Sequence, residues 1–229
     1  MTHDSILEVS RRLAQALTPG SLDHTLENIT ATAVQVLPDV EYASVTVRHA
    51  DDRLETLAPT DAMILELDAA QYELREGPCY DAATDSVHVL APFLTTDSRF
   101  PRYARVAETM GVQAQAGIRL FDTPQSIGAL NLYGTKPGSF EDLGAVGELF
   151  RHQSATALAY AYEITNLNEA VRTRQQIGQA VGAMMERYHL DEGRAFGFLA
   201  RLSQDNNIKL RDVATTLLDE ISARGEEQS

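Results

Sequence analysis

The last third of the chain gathers residue types that hold nucleic acid. Arg187, Arg201, Lys209 and Arg211 supply cations, and Ser203, Gln204, Asn206 and Asn207 lie among them. Guanidinium and ammonium groups hold phosphates, while amides and hydroxyls hydrogen-bond exposed base edges, the combination by which proteins read looped RNA. A solvated surface accounts for single members of the set: an arginine in the last turn of a helix is favoured by the helix dipole with no ligand present, and Arg201 is such a residue if its helix ends at Ser203. Reactive types are sparse elsewhere. Cys79 is the only thiol, and a turn exposing it would suit redox chemistry if a cation lowered its pKa. Its nearest charges are Glu76 and Asp81, so burial as a small hydrophobe is the stronger expectation. Histidines at 3, 24, 49, 88, 152 and 189 have no metal-ligand spacing. There is no glycine-rich phosphate loop, no Gly-x-Ser-x-Gly elbow and no paired-acid motif. No catalytic residue and no metal ligand is assigned, and the chain is not expected to be an enzyme.

The elements that would position these residues follow from periodicity and punctuation. Ser5–Leu17 reads as a short amphipathic helix, and Ser21 is placed to cap a second over Leu22–Leu37. The period then changes to two. Ala43–His49 and Arg53–Ala58 form a hairpin around Asp51-Asp52. Helical segments over Asp61–Tyr72, from Cys79 to Ala83 and over Phe100–Met110 surround a short strand at Val87–Leu90. Ala114–Phe121 and Ile127–Tyr133 form a second hairpin around Asp122–Gln125, and Glu141 opens a long helix. These elements predict an α+β domain with an antiparallel sheet of five or six strands and flanking helices. Farther on, Ala157, Tyr160, Ile164, Leu167 and Val171 follow the three-four rhythm of a coiled-coil seam for two heptads. Three helices then complete the chain: the end of the long helix, Glu192–Ser203 behind an Asp191 cap, and Leu210–Ile221. Their small core is expected from Ile177, Val181, Met184 and Met185, from Phe196, Leu199 and Leu202, and from Val213, Leu217 and Ile221.

Two families match these patterns. The element order of the front half, with Leu74-Arg75-Glu76-Gly77-Pro78-Cys79 before the mid-domain turn and Ile127-Gly128-Ala129-Leu130-Asn131-Leu132 in the last strand, resembles a GAF domain over residues 22–162. The string from Arg174 to Arg187, followed by Asp191–Phe196, Leu199–Gln204 and Asn207–Ala214, resembles an ANTAR domain over residues 167–221. The first resemblance implies a small-molecule pocket over the sheet, with Tyr80, Phe93, Tyr103 and Tyr133 as candidate lining, although no cyclic-nucleotide signature is present and the ligand stays unknown. The second implies an RNA-binding antiterminator that dimerises through the preceding coiled coil, here Tyr160, Ile164, Leu167 and Val171, and recognises paired stem-loops in a nascent transcript. Many members carry lysine where this chain has Val181.

The acidity of the chain belongs to its front. The formal net charge of -14 argues against indiscriminate coating of nucleic acid. It is uneven: residues 166–229 hold 8 Lys+Arg against 10 Asp+Glu, net -2, leaving 11 against 23, net -12, for residues 1–165. A single cysteine excludes an internal disulfide framework, no stretch is apolar enough to span a bilayer, and Met1–Asp4 lacks the basic run of a signal peptide. The expectation is a cytoplasmic homodimer with a GAF-like sensor at 1–162 and an ANTAR-like helical domain at 163–229, binding RNA, touching no membrane and needing no identifiable cofactor. The alternatives are an adaptor whose last helices bind a protein partner and a thiol-based redox sensor centred on Cys79.

Overall fold

The computed structural model describes residues 11, 13, 14, 18, 20–141 and 143–226, with side chains followed as far as Ile221. The helix expected over Ser5–Leu17 lies largely outside these residues. The chain divides into two compact units between Glu163 and Ile164.

In the first unit Ser21 accepts a hydrogen bond from the backbone N–H of His24 and caps helix α1, Leu22–Val36. Strands β1, Tyr42–His49, and β2, Leu54–Leu57, form the first hairpin. Helices α2, Met63–Leu74, and α3, Pro78–Thr84, precede β3, His88–Ala91. A single 3-10 turn, Leu94–Thr96, leads to α4, Tyr103–Thr109. The second hairpin pairs β4, Ala114–Asp122, with β5, Ser126–Gly134. The five strands lie in the order β2-β1-β5-β4-β3, every neighbouring pair antiparallel.

Helix α5 runs over Gly144–Tyr188 and carries the unit boundary within it. Its first part packs Phe150 and Leu158 against one face of the sheet, and the Tyr162 ring meets Phe121 edge-on at 5.6 Å. Gly128 is the residue that lets Phe121 cross the hairpin, because a Cβ there would come within 2.0 Å of that ring.

Several boundaries differ from the sequence expectation for local reasons. α2 starts at Met63 because Asp61 Oδ1 accepts from the Met63 N–H at 2.9 Å, closing a turn ahead of the helix. α4 starts at Tyr103 because Pro101 disfavours helical backbone at Phe100. α5 begins at Gly144, after Phe140 takes a left-handed φ of 69°.

The sheet has two unlike faces, since alternate strand residues point to opposite sides. Ala43, Val45, Val47, Ile118, Leu130 and Leu132 face α1 and α5 and build a wholly apolar layer. On the opposite side Ser44, Thr46, Gln115, Asn131 and Tyr133 are also fully buried. There α2, α3 and α4 bring in Ile64, Leu67, Cys79 and Tyr103.

The second unit packs the end of α5 with α6, Glu192–Asn206, and α7, Leu210–Glu226. Asp191 caps α6 through the Arg194 N–H at 2.8 Å. The core is Ala180, Val181, Met184, Ala195, Leu199, Val213 and Ala214. Met185, Phe196 and Leu202, expected inside, are exposed. Met185 and Phe196 each stand one position from a buried residue, Met184 and Ala195, and so fall on the rim.

Candidate functional site

Of the residues expected to meet RNA, Ser203, Gln204, Asn207, Lys209 and Arg211 lie at the corner between α6 and α7. Asn207 ends α6 in the left-handed conformation, φ 52°, and its N–H returns to Ser203 and Gln204 carbonyls. The Ser203 hydroxyl donates to the Ile208 carbonyl at 2.6 Å, and the Ile208 N–H returns to the Ser203 carbonyl at 3.1 Å. Ser203 therefore spends its proton on holding the corner, whereas its sequence role was a base contact. Gln204, Asn207 and Lys209 surround that corner and are exposed. Arg211 lies in the first turn of α7 with Asp212 Oδ1 at 3.5 Å, and Arg187 ends α5 with its guanidinium 5.8 Å from the Tyr188 ring.

Arg201 is exposed, but α6 continues to Asn206, so Arg201 stands more than a turn from the helix end. Dipole effects fade within one turn. The helix-end explanation for this cation fails. Phe198, three residues earlier on the same side of α6, is 54% exposed. Phe198 lies off the buried Ala195–Leu199 stripe, so periodicity alone hides it, and that offset is itself the signal. Together they present an aromatic ring and a guanidinium, groups on which unstacked bases pack.

The residues assigned to dimerisation, Tyr160, Ile164, Leu167 and Val171, are all exposed along α5, at 58%, 37%, 60% and 57%. Ala157, expected in the same seam, is instead buried in the front unit with Leu158 and Ala161. The uncovered stripe thus begins at Tyr160. Val181 is buried in the helical core rather than facing outward, so its lack of charge reflects packing rather than a lost surface cation.

In the front unit, the polar face of the sheet converges on Asp68. This carboxylate, on α2, accepts from Tyr133 Oη, from Ser44 Oγ and Thr56 Oγ1 at 3.0 Å each, and from Gln71 Nε2 at 3.2 Å. Burial pushes its pKa up to about 6, against the downward pull of hydrogen bonds from Tyr133, Ser44, Thr56 and Cys79. No lysine or arginine pairs with it among the described residues. Tyr72 Oη bridges Thr46 and Thr56 at 2.7 and 2.8 Å, and Asn131 Nδ2 donates to Ser44 and Thr46 at 3.0 and 2.8 Å. A second branch joins Tyr103 Oη to Gln115 Oε1 at 2.7 Å and Gln115 Nε2 to Cys79 Sγ at 2.6 Å.

Of the four candidate ligand aromatics, Tyr103 and Tyr133 meet in this layer. Tyr80 lines a neighbouring cleft, and Phe93 is 48% exposed. Cys79 is fully buried, and burial with the nearby Asp68 charge pushes its thiol well above the usual range. A reactive thiolate is therefore not favoured, and the redox alternative is set aside.

The turn leading to Cys79 is built for structure. Glu76 accepts from the N–H groups of Arg102 and Tyr103 at 2.6 and 3.0 Å and from Arg102 Nε at 2.9 Å, closing the start of α4. Burial raises the Glu76 pKa, but these bonds outweigh it and hold the carboxyl below its ordinary value. Gly77 has φ 136°, and a Cβ there would lie 2.3 Å from Gln71 Oε1.

Residues 165–218 match the family model of the ANTAR domain. This stretch is an ANTAR domain. ANTAR domains are RNA-binding antiterminator domains, so the corner between α6 and α7 belongs to an RNA-binding module. The unit preceding it has the GAF fold. It is similar to the GAF domain of a phosphoenolpyruvate-protein phosphotransferase from Coxiella burnetii, at TM-score 0.54 and 14% identity, covering 72% of this chain and 99% of that one. An N-acylhomoserine lactone dependent LuxR family transcription factor from Burkholderia cenocepacia gives TM-score 0.54 and 14% identity, covering 69% and 97%. Free methionine-R-sulfoxide reductase from Neisseria meningitidis gives 0.52 and 13%, covering 72% and 95%. No curated protein sequence matches the chain. Among the described residues no helix is long and apolar enough to cross a membrane.

Proposed function

We propose that the chain is a homodimeric, signal-responsive antiterminator that binds paired stem-loops in nascent transcripts, without enzymatic activity and in the cytoplasm. The observation that carries this reading is the exposed group Phe198, Arg201, Gln204, Asn207 and Lys209 within the ANTAR domain. Arg187, Arg201, Lys209 and Arg211 hold phosphates. Gln204 and Asn207 read base edges, and Phe198 stacks on a flipped base. Ser203 shapes the corner and offers only its lone pairs.

The segment 166–229, of net charge -2, neutralises few phosphates and binds nonspecific RNA weakly. Pairing two copies through Tyr160, Ile164, Leu167 and Val171 restores affinity for tandem sites, because the second head binds at a high effective concentration. The GAF-fold unit biases this dimer by binding its signal with different affinity in two arrangements of the pair, with α5 as the shared element.

Crosslinking of the tagged full chain to cellular RNA tests the proposal. Enrichment of paired stem-loops beside terminators, lost in Arg201→Ala/Lys209→Ala, is the expected result. Absence of any specific RNA, with a protein co-purifying in its place, would instead support the adaptor reading.

A further inference from the structure

We propose that the cleft where β1, α2 and α3 meet takes a free α-amino acid with an apolar or aromatic side chain. Arg48 and Arg75 hold its carboxylate, Asp85 holds its ammonium, and the rings of Tyr72 and Tyr80 flank its side chain. Such a ligand belongs to the signal-responsive half of the function proposed above and rests on that half alone. Its test uses no RNA, so failure here leaves the RNA reading standing.

The cleft has a volume of about 500 Å³, within the range of small-molecule sites. Arg48, Leu54, Tyr72 and Tyr80 form its inner wall and are half-buried, whereas Asp52, Arg75 and Asp85 stand exposed at its rim. α2 ends on Arg75 in the left-handed conformation, φ 51°, and α3 ends at Thr84, so both helix ends border the same space.

Arg48 lacks an acceptor. Its guanidinium carries a fork of N–H donors, its side chain is 29% exposed, and its ionic contact is Asp52 Oδ1 at 3.6 Å, beyond hydrogen-bond reach. Among the described residues nothing accepts a hydrogen bond from that guanidinium. Asp52, with its side chain 86% exposed, is a solvated partner that neutralises it weakly. The Arg75 guanidinium, at the same cleft, has no hydrogen bond or ion pair among the described residues. Two planar forks without acceptors suit a carboxylate, which two parallel N–H groups can grip at once.

Charge of the other sign is there too. The Asp85 carboxylate accepts from the Thr84 hydroxyl at 3.2 Å, and Thr84 shares that one proton with the Tyr80 carbonyl at 2.9 Å. No ion pair joins Asp85 to either arginine among the described residues, although all three line one cleft. A ligand of one sign would leave the other sign unanswered. An α-amino acid carries both on a single carbon, and Leu54 with the two phenol rings supplies apolar surface for its side chain. Tyr72 links an occupant to the polar layer, since its ring walls the cleft while its hydroxyl bridges Thr46 and Thr56.

Isothermal titration calorimetry of the full chain with L-phenylalanine and L-leucine tests the site. Hydrocinnamate and isocaproate, which lack the ammonium, and phenethylamine and isoamylamine, which lack the carboxylate, are the controls. At least one amino acid should bind saturably, raise the melting temperature, and bind about tenfold or more tighter than either of its one-charge analogues. Asp85→Asn should weaken that amino acid by about tenfold or more and leave its ammonium-free analogue unchanged. Arg48→Met should weaken the amino acid likewise and leave the carboxylate-free analogue unchanged. A variant that damages the fold weakens all three ligands alike, and the analogue series on the natural chain then decides. The proposal is overturned if neither amino acid binds, if a one-charge analogue binds as tightly as its amino acid, or if the folded variants keep the parent affinity.

Discussion

Single residues in this protein carry burdens that their neighbours explain. Asp68 is the clearest case. Its folded pKa of about 6 lies above the ordinary aspartate value, so the folded state holds the proton more tightly than the unfolded chain between roughly pH 4 and 6. Stability from this group is therefore fully present below about pH 4, falls as pH rises through 6, and is level above that. The loss is of the order of 3 kcal/mol at most. The titratable groups packed around it, Tyr72, Tyr103, Tyr133 and Cys79, are all pushed upward and stay neutral across this window. Urea unfolding of the natural chain and Asp68→Asn should show a stability difference that changes between pH 4 and 6 and is constant from 7 to 8. Parallel curves over the whole range would refute the assignment. At the other end of the chain, Phe198→Ala should weaken stem-loop binding by about 1–3 kcal/mol, roughly tenfold in Kd, with an unchanged melting temperature because the ring is exposed. An unaltered Kd by fluorescence anisotropy would remove Phe198 from the RNA surface.

At the scale of elements, punctuation and period were legible where they acted locally. Ser21 and Asp191 cap their helices, the two hairpins form around their Asp-containing turns, and the ANTAR helices follow one another in the expected order. The polar layer was not legible. Ser44, Thr46 and Asn131 alternate with apolar residues just as solvent-facing strand positions do, and only the covering of that face by α2, α3 and α4 makes them interior. The sequence predicts an end of α6 at Ser203, three residues early, since nothing in Gln204-Asp205-Asn206 continues the apolar stripe; the left-handed Asn207 is the true stop. Around Gly77 the sequence predicts only a turn, and the residue's structural role is sharper. A side chain there meets Gln71 in a backbone conformation that L residues avoid. Gly77→Ala should destabilise the front unit by about 2–4 kcal/mol, seen as a melting transition lowered by several degrees. A melting point within one degree of the parent would contradict that reading.

The whole molecule is an acidic GAF-fold unit and a nearly neutral ANTAR domain that share one helix, and the exposed stripe on that helix is what would make two copies act together. A seam of under two heptads, Tyr160 to Val171, holds a dimer only marginally, so charge placed in it should separate the pair. Leu167→Glu/Val171→Glu should give a monomer by analytical ultracentrifugation while leaving the fold intact, since both positions are exposed. The most direct measurement of the central claim is fluorescence anisotropy of the full chain, and of that seam variant, on an RNA with two stem-loops and on the same RNA with one. The account predicts that the parent binds the paired RNA at least tenfold more tightly than the single stem-loop and that the seam variant loses this advantage. Equal affinity of the parent for both RNAs, or a monomeric variant that keeps the preference, would contradict it.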